Sequence, residues 1–142
     1  MSIIVFILIG VVVMVHWMWG VRWAWAWLAA PAYLLVSVGL SVAIRAVGGD
    51  RAVLGGYIPA LILLAAFGLA IRLTVALPGA RFGTWLLGAA AIFAASLTLR
   101  TLDEPLCQSF SLGTHFAWHL FNATVLFLVS YVVIRRWQGS GK

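Results

Sequence analysis

Five apolar stretches run through this chain, at about residues 2–19, 23–44, 57–77, 82–99 and 114–134. A helix rises 1.5 Å per residue, so about 20 apolar residues cross the hydrocarbon of a bilayer, and each stretch has or approaches that length. The breaks are short and polar: "WGVRW" at 19–23, "RAVGGDRAVLGG" at 45–56, "LPGARFG" at 77–83 and "RTLDEPLCQSFSLG" at 100–113. Glycine, proline and charge punctuate each of them. The pattern predicts an all-α, multi-pass transmembrane helix bundle of about five spans, a single domain over 1–142. Pro59 falls in the first turn of the third span, where its missing N–H costs little. Pro31 falls inside the second and predicts a kink there. Arg72, near the end of the third, can snorkel to the interface.

Composition narrows the class further. The 142 residues are 65% hydrophobic and only 8% charged, against roughly 25% charged in a soluble domain. The net charge of +6 comes from nine basic residues scattered between apolar runs, with only Arg135 and Arg136 adjacent, whereas nucleic-acid binding calls for clusters on one face. Cys107 is the only cysteine, so no internal disulfide forms. The first apolar run ends in tryptophans, not at a small-residue cleavage site, so no cleavable signal is evident. With five spans the termini lie on opposite sides. One side collects Arg22, Arg72, Arg81, Arg135, Arg136 and Lys142; the other collects Arg45, Arg51 and Arg100 with all three acids, Asp50, Asp103 and Glu104. The positive-inside rule makes the first side cytoplasmic and the N-terminus external. The tryptophans at 17, 19, 23, 25 and 27 then form an aromatic belt at the inner interface.

Candidate chemistry is concentrated in "GTHFAWHLFN" at 113–122. His115 and His119 are four residues apart, one turn on a helix face, and two imidazoles so placed can reach one metal ion. Asn122 continues that face as a hydrogen-bonding support. Ser111 or Thr114 is placed to cap the helix. Polar groups inside spans are expensive and usually functional, and the preceding loop brings Asp103, Glu104 and Cys107 close. A bis-histidine haem fits poorly, since its axial ligands approach from opposite faces. The third histidine, His16, lies near the other end of the first span and is expected to be interfacial.

The runs "SLTLRTLDEPLC" and "SLGTHFAWHLFN", with "LGGYIPALILLAAFGLAIR" at 54–72, resemble the C-terminal part of bacterial members of the alkaline ceramidase family. These are seven-helix membrane hydrolases related to the adiponectin receptors. The likeness covers about 53–136 and is weak over 1–52. It implies a zinc-dependent amidase of a bacterial inner membrane, hydrolysing the N-acyl bond of ceramide or a related lipid. His115 and His119 would be two zinc ligands, Asp103 a supporting residue, and the apolar bundle the seat of the acyl chain. No earlier span carries the Ser-x-x-x-His segment that gives the family its third ligand. The expectation is therefore a five-helix portion without the first two helices of the fold, unable to act alone. The competing expectation is a non-catalytic relative that binds membrane lipid or a partner.

The charge distribution generates a test of orientation. A membrane-impermeant maleimide is expected to label Cys107 in intact cells. Labelling only after lysis would reverse the assigned topology.

Overall fold

The computed structural model describes residues 2–48, 57–76, 79–107 and 115–140. Within them the chain is helical: α1 (Ser2–Trp19), a single turn α2 (Trp23–Ala26), α3 (Ala29–Gly48), α4 (Ile58–Thr74), α5 (Ala80–Cys107) and α6 (His115–Ser140). The stretches Trp23–Val47, Ala80–Asp103 and Phe116–Gly139 are long and apolar enough to cross a membrane; α1 and α4 contribute shorter apolar helices.

The first expected span, 2–19, coincides with α1. It stops because Gly20 adopts φ +67°, the left-handed conformation that commonly ends helices and that glycine enters without a steric penalty. The second span is interrupted earlier than expected. Its break lies at Trp27–Leu28, and Pro31 sits in the first turn of α3, not at a kink within it. A proline ring excludes the carbonyl four residues back and offers no N–H to it. The Trp27 carbonyl accepts instead from Ala30 N–H at 3.3 Å. Pro59 occupies the first turn of α4, as expected.

The largest departure is at 100–113. This segment does not form a loop from Arg100: α5 continues to Cys107, so Asp103 and Glu104 stand on a helix. Pro105 lacks a helical N–H, but it falls in the last turn, where only one bond is lost. α6 likewise outruns its expected end at 134 and reaches Ser140.

Successive long helices alternate in direction. α5 packs most extensively, with α4 on one side and α6 on the other. Its small residues make this possible. A Cβ added at Gly83 would lie 2.5 Å from the Gly68 carbonyl oxygen and 2.6 Å from the Arg72 nitrogen, so the α4 and α5 backbones touch there. Close approach through small residues is how apolar helices gain packing when hydrocarbon, not water, is the alternative. The α6 seam repeats at Trp118, Asn122, Val125, Val129, Val132 and Arg136, spacings of four and three that suit antiparallel neighbours crossing at a shallow angle.

The apolar core lies towards one end, where Met14 and Met18 of α1, Ile71 of α4, Leu86 of α5 and Val132 of α6 meet. Polar bonds close the same end. Trp19 Nε1 donates to Thr74 Oγ1 at 2.8 Å, and Arg136 Nε donates to the Trp17 carbonyl at 3.0 Å. α3 packs lightly on α1 and α4, leaving an open apolar groove of about 210 Å³ floored by Val11, Tyr33, Leu63 and Phe67.

The Gly68–Gly83 contact sets a stability expectation. Gly83→Ala pushes a Cβ into backbone, which cannot swing aside. It is expected to cost about 1–3 kcal/mol, despite the roughly 1 kcal/mol by which alanine exceeds glycine in helix propensity. At Gly88 an added Cβ meets nothing within 4 Å, so Gly88→Ala should leave stability equal or higher. Unfolding of both variants in mixed micelles checks the pair.

Candidate functional site

The end of the bundle opposite the apolar core is built from the start of α4, the C-terminal half of α5 and the start of α6. α6 opens at His115, so both histidines of "GTHFAWHLFN" lie in its first turns. At 100° per residue they are about 40° apart around the helix. His115 falls in register with the inward seam; its side chain is outside the described residues. His119 sits on the flank of that seam and is exposed. The expected caps, Ser111 and Thr114, lie outside the described residues, as do the side chains of Glu104 and Cys107.

Ser96 of α5, fully buried, anchors the histidine-bearing turn. Its hydroxyl lies 3.2 Å from the Trp118 carbonyl and 3.2 Å from Asn122 Oδ1, sharing one proton between two acceptors. In apolar surroundings an unmet hydroxyl is costly, so this pairing fixes the level at which α6 meets α5. Asn122, expected to support the histidines, thus spends its carbonyl oxygen on Ser96.

One turn further along α5, Arg100 reaches both neighbouring helices. Its Nη1 donates to Tyr57 Oη at 2.7 Å. Its Cζ lies 4.6 Å from the Tyr57 ring centroid and 4.8 Å from that of Trp118. Both are cation–π distances, worth about 0.5–2 kcal/mol each depending on desolvation. Trp118 in turn contacts His119, with ring centroids 4.4 Å apart. Asp103, three residues after Arg100, is half-buried near the end of α5. Ser96, Arg100 and Asp103 occupy positions i, i+4 and i+7 of one helix and share a face. Sequence reasoning missed Ser96 and Tyr57 and treated Arg100 as a boundary charge. The shared face becomes legible once α5 is allowed to run through Pro105.

His16 is at the other end. Its Nδ1–H donates to the Val21 carbonyl at 2.7 Å, and its ring stacks on Trp23 at 3.9 Å. Its neighbour Trp17 meets Arg136, 17 residues beyond His119 on α6, or about 26 Å along the axis. The three histidines therefore do not converge. Among the described residues no three His, Cys, Asp or Glu side chains gather to hold a metal ion.

Searches against protein-family models, curated proteins and solved structures found no match to this chain.

The Ser96–Asn122 contact makes a quantitative expectation. A double-mutant cycle with Ser96→Ala and Asn122→Leu should give a coupling of about 0.6–1.7 kcal/mol, the range for interhelical hydrogen bonds in apolar bundles. Additive losses would show that the two side chains do not bond.

Proposed function

We propose that this chain is the histidine-pair portion of a ceramidase-like membrane amidase, whose substrate class is ceramide or a related N-acyl lipid. The observation that carries the reading is that "GTHFAWHLFN" starts a helix at its first histidine. This puts His115 and His119 one turn apart, beside a helix bearing Arg100 and Asp103, at one end of an apolar bundle. The reading takes all five long helices as spans. It puts the N-terminus outside and the C-terminus in the cytoplasm, in keeping with Arg22, Arg72, Arg81, Arg135 and Arg136 at the end opposite the pair.

The donor set for zinc is incomplete among the described residues. A catalytic zinc takes three protein ligands and keeps a fourth position open. The sequence places two imidazoles on α6; among the described residues, which leave out the side chains of His115, Glu104 and Cys107, no group of three His, Cys, Asp or Glu gathers. No catalytic step is therefore assigned to a metal on this chain alone. The proposal assigns His115 and His119 as two of the ligands. It takes the third from helices additional to these five, as in the seven-helix proteins that the sequence resembles. Asp103 is then a supporting carboxylate, better held on α5 than it would be on a loop. The lack of a Ser-x-x-x-His segment in the earlier spans supports a second reading: a non-catalytic relative that binds membrane lipid or a protein partner.

The experiment compares two purified proteins in detergent. One is the 142-residue chain; the other is the chain extended by a two-helix segment carrying Ser-x-x-x-His from a ceramidase-family protein. The short form is expected to hold well under one zinc per chain and to release little fatty acid from ceramide. The extended form is expected to hold one zinc and to turn over, with both properties lost in His119→Ala. An extended form without zinc or His119-dependent release would favour the non-catalytic reading.

A further inference from the structure

We infer that Arg100 is a positioning residue for His119, acting with Tyr57 through the indole of Trp118. The inference rests on the reading of His119 as a functional imidazole, and it names what sets that ring.

The geometry is a relay across three helices. Tyr57 precedes α4, Arg100 belongs to α5, and Trp118 and His119 belong to α6. Tyr57 Oη accepts from Arg100 Nη1 at 2.7 Å. That bond fixes the guanidinium at one edge. The same guanidinium carbon lies 4.8 Å from the Trp118 ring centroid, so the indole has a charged plane to settle against. The Trp118 ring lies 4.4 Å from the His119 ring at an interplanar angle of 58°. Contact between the two rings couples the orientation of the imidazole to that of the indole. Ser96 holds the backbone of the same turn through the Trp118 carbonyl. Backbone and side chain of residue 118 are thus both tied to α5, by two different residues.

An alternative role for Arg100 is a simple rivet between helices. The two roles differ in what a lysine can do. Lysine keeps the charge and can reach the Tyr57 hydroxyl, but it lacks the planar guanidinium that packs against an aromatic ring. A rivet tolerates Arg100→Lys, whereas a positioning residue does not.

The test uses the full chain in detergent micelles with isotope-labelled histidine. Three histidine signals arise, assigned by substituting each residue in turn. His16, about 26 Å away along the bundle, is the internal control for folding. Arg100→Lys and Arg100→Gln are each expected to shift or broaden the His119 ring signals while leaving His16 unchanged. Tyr57→Phe, which removes only the hydroxyl, is expected to produce a smaller change in the same direction.

Wild-type His119 signals in Arg100→Lys, with His16 unmoved, would overturn the inference and leave Arg100 a rivet. If Arg100→Gln also moved His16, the Lys and Phe variants would decide, since both retain a polar or aromatic group of similar size. If His119→Ala left zinc binding by the extended form unchanged, the metal reading of the histidine pair would fail. The His119 ring signals would still report on the relay.

Discussion

The backbone contact between Gly68 and Gly83 governs how the rest of this bundle is arranged. Two helices that touch through their main chains cannot slide past one another without pushing atoms together. The contact therefore fixes the level of α4 against α5. Once that level is set, the start of α4 falls within reach of Arg100, whose long side chain spans the remaining gap to Tyr57. α6 is then placed on the other face of α5 by Ser96 and Asn122. α5 is thus the reference rod, and its neighbours are indexed to it by two unlike devices: steric fit on one side, hydrogen bonding on the other.

The two ends of the bundle are held by different chemistry. Four helices converge at the tryptophan end, and methionine, isoleucine, leucine and valine fill the space between them. Among the described residues, α4, α5 and α6 supply the contacts at the histidine end. There a serine, an asparagine, an arginine and two aromatic rings take the place of a hydrocarbon core. Such contacts are directional, so they specify side-chain orientation where aliphatic packing specifies only volume. A site that must orient imidazoles is better served by the first kind of contact.

Much of the fold was readable in the chain. The length of the apolar runs located the long helices, and Pro59 and the first boundary at Trp19 fell where local rules put them. Pro31 was expected to kink the second span, and the break it accompanies lies four residues upstream, at Trp27–Leu28. Placing the break at Arg100, where charge begins, cut α5 short, turned Asp103 into a loop residue and hid the face shared by Ser96, Arg100 and Asp103. The histidine pair was legible because it is local, four residues on one helix. Tyr57 was not, because its partner lies 43 residues away and nothing in either neighbourhood announces the pairing.

The length of α5 has a consequence for depth. Its 28 residues span about 42 Å, against a hydrocarbon layer of about 30 Å. Tilting alone would need about 44°, beyond the range of roughly 0–40° seen for membrane helices. With α5 as a span, some of the excess would emerge from the oily phase, and the end bearing Arg100, Asp103 and Glu104, against Arg81 alone at the start, is the end suited to do so. Arg100 and Asp103 then stand among headgroups and interfacial water. The N-acyl lipid of the proposed function would keep its polar linkage at that same level. A lipid diffusing sideways in its leaflet would meet this face of the protein without leaving its own depth.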